Sequence, residues 1–155
     1  MPKLLNKKIV FALLIIALIS PLAPSRVRDF GAICQVLEKS CKEYGFSPSW
    51  ATAIIWSEHD GLKNINEKCK YDRLAYGPGG LLLLTARDVG YRGAESGLNN
   101  YNVSVPLCIQ YMAKLDKTFK GDKKKVISFY KTGKTDKEIY YDRVLKIKKR
   151  IKEQK

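Results

Sequence analysis

Apolar residues recur along most of this chain every three or four positions, the period of helices that bury one face. From Arg28 to Tyr44 the stripe is Phe30, Ile33, Cys34, Leu37, Cys41 and Tyr44, and Gly45 supplies the stop. Ser47-Pro48 restarts the chain as N-cap and first helical residue. The helix it opens carries Ala51, Ile54, Ile55 and Glu58 on one face, with Leu62 in the same register and Gly61 as a natural stop. Residues 63–80 lose the period and gather Asn64, Asn66, Gly77, Pro78, Gly79 and Gly80, which predicts an irregular loop or a small hairpin. The period resumes at Leu81 to Val89, again at Val105 to Phe119 after a polar loop, then at Lys123 to Tyr130 and Asp136 to Lys152. In the last segment Tyr140, Val144, Ile147 and Ile151 make a narrow stripe, so one-sided packing is expected. The reading is a mainly α single domain over residues 28–155, of about six helices with one irregular segment after the second.

The first residues follow a different pattern. Lys3, Lys7 and Lys8 precede an uninterrupted apolar run from Ile9 to Ile19, and Ser20-Pro-Leu-Ala-Pro-Ser25 follows it. A basic start, a short apolar run and a small-residue tail describe a secretory signal over residues 1–24. Pro24 is a poor residue just after a cleavage point, which leaves an uncleaved signal anchor in contact with the membrane as the alternative. Either way the expected location is the exterior face of the membrane: periplasm, envelope or medium.

Composition sharpens this picture in two places. Net charge is +14, and removing residues 1–23, which carry three lysines and no acid, leaves +11. Such a balance favours anionic partners, and export argues for wall polymers or lipid surfaces over nucleic acid. Cys34, Cys41, Cys69 and Cys108 form an even set, which in an oxidising compartment suggests two disulfides. Cys34 and Cys41 lie two helical turns apart, too far to bridge, so Cys34 is expected to join Cys69 or Cys108. There is no CxxC, and His59 is the only histidine, so neither a metal site nor a cofactor is expected.

Glu58 carries the most pointed chemistry. It ends the apolar stretch Ala51-Thr-Ala-Ile-Ile-Trp-Ser-Glu58, where desolvation and the negative end of the helix dipole both favour the protonated carboxyl. A carboxyl that keeps its proton near neutral pH can serve as general acid in breaking a glycosidic bond. Ordinarily a Glu at a helix end is a solvated surface group, so burial of this side chain separates the two readings. Among nearby acids, Asp60, Glu67 and Asp72 have no spacing that marks a second catalytic carboxylate. Trp50 and Trp56 are candidates for stacking on sugar rings or for simple packing. Gly79-Gly80 lacks the Lys-Ser/Thr of a phosphate loop.

Several segments, in order, resemble lytic transglycosylases of the goose-lysozyme-like type. Ile54-Ile-Trp-Ser-Glu58 is similar to that family's helix ending in its catalytic Glu. Tyr76-Gly-Pro-Gly-Gly-Leu-Leu-Leu-Leu84 resembles its Gly-Leu-Met-Gln turn, and Thr85 to Gly90 the helix end that follows. Asn102 through Phe119 is similar to its next long helix. Ser128-Phe-Tyr130 falls where the family has Ala-Tyr-Asn, and Tyr141 to Leu145 resembles its closing Tyr-Val motif. The chain departs from the pattern at His59 for the Ser after the Glu, Leu83 for the Gln, and Lys131 for the Asn. About three residues are also missing between Leu84 and Thr85.

The resemblance implies a lysozyme-like fold and a lone-acid reaction on peptidoglycan glycan strands. Glu58 would protonate the oxygen joining N-acetylmuramic acid to N-acetylglucosamine, then deprotonate the muramic 6-hydroxyl to give a 1,6-anhydro product. Tyr130 is implied to orient the acid, and Leu82, Leu83 and His59 to contact sugar. The family's setting suggests an envelope-spanning secretion, conjugation or phage machine as partner. A hydrolytic lysozyme and a degenerate glycan-binding domain are the alternatives.

Overall fold

The computed structural model describes residues 24–58 and 75–153. Residues 1–23, which hold nearly all of the expected signal, lie outside the described residues, as do His59 and Cys69. The described chain is mainly α, as the periodicity predicts: six α-helices and one two-stranded hairpin.

Helix α1 (Pro24–Tyr44) begins four residues earlier than the apolar stripe suggests and ends at Gly45, whose φ of 73° turns the chain away. The Gly45 and Phe46 amides donate back to the Cys41 carbonyl, satisfying the helix end. Helix α2 (Pro48–Glu58) starts at the predicted Pro48, and the expected stop at Gly61 lies outside the described residues. Ala51, Ala53, Ile54 and Ile55 are all buried in it, more than one face can supply, because α2 packs against α1 on one side and the last helix on the other. The two alanines let those neighbours approach closely.

Strands β1 (Ala75–Tyr76) and β2 (Leu81–Leu82) pair antiparallel, Ala75 opposite Leu82 and Tyr76 opposite Leu81, across the turn 77–80. The predicted helix over 81–89 is shortened to α3 (Leu83–Asp88), since Leu81 and Leu82 are held in the ladder. A 3₁₀ turn (Glu95–Asn99) buries Leu98 within the polar loop. Helix α4 (Tyr101–Thr118) starts four residues before the predicted Val105, because the Asn100 side chain accepts from the Asn102 amide and caps it there. Pro106 is therefore carried inside the helix.

Helix α5 (Lys123–Thr132) starts at Asp122, whose carboxylate accepts from the Lys124 and Lys125 amides, and stops at Gly133. Helix α6 (Glu138–Glu153) packs one-sidedly: Val144 is buried, Tyr140, Ile147 and Ile151 are half-buried against the core, and Ile139 is exposed. The Ser128 hydroxyl donates to the Lys134 carbonyl and accepts from the Lys137 amide, fixing the connection between α5 and α6.

The core is centred on α4, whose Val105, Cys108, Ile109 and Met112 are fully buried. Ile33, Leu37 and Cys41 of α1, Ile54 of α2, Val126 and Ile127 of α5 and Val144 of α6 complete it. Cys34, Cys41 and Cys108 are free thiols, so the expected bridge from Cys34, to Cys69 or to Cys108, is not formed. Among the described residues no helix is long and apolar enough to cross a membrane.

Candidate active site

Glu58 is the last described residue of α2, and only 9% of its side chain is exposed. It does not point into open solvent. The hairpin turn covers it: a Cβ built on Gly80 would stand 3.0 Å from Glu58 Oε2, and Gly80 has φ of 59°. Both constraints select glycine, one by backbone conformation and the other by the approach of the carboxylate.

The turn is held in place from two sides. The Tyr130 hydroxyl donates to the Gly79 carbonyl at 2.7 Å, a bond between residues 51 apart in sequence. A Cβ on Gly79 would fall 2.3 Å from Cys108 Sγ, so α4 forms the floor beneath it. Pro78 is buried in the same turn. Tyr130 also packs on Tyr111, ring centroids 5.8 Å apart. Burial, then the neighbouring Cys108 and Glu58, push the Tyr130 phenol well above its usual range, so it stays a neutral donor. Burial raises the Cys108 thiol to about 12, with the Tyr130 hydrogen bond opposing and the Glu58 charge adding to the rise.

Lys131, next to Tyr130 on α5, places its Nζ against Glu58 Oε2 in a direct ion pair. Its side chain is 33% exposed. The ammonium favours the carboxylate, whereas burial and the negative end of the α2 dipole favour the acid. Tyr140 and Arg143 of α6 join Glu58, Tyr130 and Lys131 around a cavity of about 10 Å³, room for about one water. With Lys131 in this position the carboxylate can accept a proton or a hydrogen bond. Only its protonated form can donate a proton, and the ammonium beside it disfavours that form.

Of the residues picked from sequence, Glu58 and Tyr130 are thus brought together across the Gly79-Gly80 turn. Leu83 is half-buried against the core, and Leu82 is 40% exposed on β2; neither lines the Glu58 cavity. His59 falls outside the described residues. Trp50 packs, stacked on Tyr141 at 6.1 Å with Lys148 Nζ over its ring at 4.7 Å. The sequence pattern gave no role to Arg143, although it shares a face with Tyr140 and Ile147 at helical spacing. Lys131 stood out only as a departure from the family's Asn. No family model, curated protein or solved structure matches this chain.

Proposed function

We propose that the protein is an exported peptidoglycan lytic transglycosylase in which Glu58 is the single acid and base. The observation that carries this reading is the meeting of three separate segments, each of which resembles the family. Glu58 ends α2, Gly80 of the hairpin turn lies against its carboxylate, and Tyr130 of α5 ties that turn down.

In this reading substrate entry displaces the Lys131 ammonium, and the desolvated Glu58 carboxyl takes up a proton. It passes that proton to the glycosidic oxygen of the β-1,4 bond as the bond to C1 of N-acetylmuramic acid breaks. The substrate's 2-acetamido oxygen bonds to C1 and spreads the positive charge. The 6-hydroxyl oxygen then displaces it at C1, Glu58 takes the hydroxyl proton, and the 1,6-anhydro end forms without water. Tyr130, fixed on Gly79, holds the turn that covers the acid. The substrate is the wall glycan, and the setting is the envelope, alone or with an envelope-spanning machine.

The test is dye release from labelled peptidoglycan by wild type and Glu58→Gln, with mass spectrometry of the products. Anhydro ends made by the wild type alone support the proposal, reducing ends indicate a hydrolytic lysozyme, and equal release by both proteins ends the catalytic assignment. One observation favours a second reading, a domain that binds glycan without cutting it: Glu58 is already paired with Lys131 beside a cavity the size of a water. Retention on wall sacculi with no released fragment supports that second reading.

A further inference from the structure

A buried thiol within reach of the Glu58 charge takes no part in the reaction above. Cys108 lies on the face of α4 that carries Val105, Ile109 and Met112, all fully buried. Larger apolar side chains would suit that core, yet Cys108 and, one turn earlier, the buried Ser104 are both small. The hairpin turn supplies the reason. A Cβ on Gly77 would stand 2.2 Å from Ser104 Oγ, as one on Gly79 would stand 2.3 Å from Cys108 Sγ, so the turn rests directly on both. The Gly80 amide donates to the Gly77 carbonyl at 3.1 Å and closes the turn. The Cys108 thiol also meets the Tyr130 hydroxyl. That hydroxyl has one hydrogen and gives it to the Gly79 carbonyl, so in this second contact the thiol donates and the phenol oxygen accepts. Contacts thus run from Cys108 through Tyr130 and Gly79 to Gly80, which lies against the Glu58 carboxylate.

We propose that Cys108 is a positioning residue for Glu58: its size and its thiol hydrogen set how closely the Gly79-Gly80 turn covers the carboxyl group. The inference rests on the reading of Glu58 as the acid and adds the residue that keeps that acid desolvated. A larger side chain at position 108 lifts the turn, and water that reaches the carboxyl group favours its ionised form. A smaller one without a donor leaves the turn loosely seated and takes a hydrogen bond from Tyr130. Among the described residues the titratable groups around Glu58 are Cys108 of α4, Tyr130 and Lys131 of α5, and Tyr140 and Arg143 of α6. Exchanging Cys108 for a neutral residue therefore changes the cover over Glu58 and none of the charges beside it.

The test compares Cys108→Ser, Cys108→Ala and Cys108→Val in the full-length protein, each checked for folding by circular dichroism. Two quantities are read: kcat and KM for labelled peptidoglycan across pH, and the titration of the Glu58 carboxyl group by carbon-13 NMR, assigned with Glu58→Gln. Cys108→Val is expected to lower kcat about tenfold or more with little change in KM. It is also expected to move the alkaline limb and the carboxyl titration to lower pH. Cys108→Ala is expected to move both the same way by less, and Cys108→Ser, which keeps the size and the donor, to leave both in place. A cysteine that only fills the core would change the unfolding midpoint and the total activity without moving limb or titration, and that result overturns the proposal. A shift in Cys108→Ser as large as in the other variants overturns it as well. If Cys108→Val does not fold, Cys108→Ala against Cys108→Ser makes the same comparison. If the wild type cuts no glycan while the Glu58 titration still follows residue 108 in this order, the cleavage reading fails and the positioning role stands. If cutting depends on Glu58 and the titration ignores residue 108, the reverse holds.

Discussion

Glu58 and Lys131 share one contact, and the proposed reaction needs the state that this contact disfavours. The ammonium stabilises the carboxylate, so it lowers the pH at which the acid form is lost; removing the cation must raise that pH. Lys131→Met is therefore expected to move the alkaline limb of the activity profile to higher pH, and a limb that stays in place refutes control by Lys131. Glu58→Gln keeps the side chain's shape and removes the transferable proton. A loss of about 10²–10⁴-fold in strand cleavage is expected, the usual size of a general-acid contribution. Gly80→Ala adds a methyl group at a positive φ and 3.0 Å from Oε2. It is expected to cost about 1–2 kcal/mol in urea unfolding and to lower cleavage as well. Unchanged stability would show that the turn is free to rearrange.

At the level of elements, the chain announces its helices through periodicity and their ends through caps, and it does so unevenly. Gly45, Pro48 and Gly133 are terminators or starters whose effect is local, and the structure has them in those roles. The start of α4 is harder to read, because Pro106 looks like an opening residue while Asn100 does the capping six positions earlier. Asn100→Ala removes that cap and is expected to cost about 1 kcal/mol, read by thermal or denaturant unfolding. An unaffected midpoint would mean that the α4 start is set by packing instead. The run Leu81 to Leu84 could be strand or helix from composition alone; pairing with Ala75 and Tyr76 decides it, and this tertiary contact has no local signal. The site follows the same division. Glu58 was legible because it ends an apolar helix. Lys131 and Arg143 were not, because they reach it from helices more than 70 residues later, and a surface lysine and a functional one have the same spacing.

Across the whole molecule, burial of three thiols has a consequence for alkaline conditions. Burial, and after it the Glu38 charge, raises Cys34 and Cys41 from 9.0 to about 12, and Cys108 rises to the same value chiefly through burial. Between those values the unfolded chain releases protons that the folded chain retains, so stability is fully present below pH 9 and falls towards pH 12. Alkylation at pH 8 should accordingly be slow for Cys108 and become fast on unfolding. Rapid modification of native Cys108 would contradict its enclosure under Gly79.

Tyr130 and Lys131 are consecutive on one rigid helix, the first fastening the hairpin and the second restraining the acid. Sliding α5 as a body would release both at once and uncover the carboxylate to water. Releasing the Lys131 contact while the roof stays shut needs only torsions of the lysine stem, and side-chain rotations of that kind run in picoseconds to nanoseconds. The latch can thus cycle far faster than the fold around it.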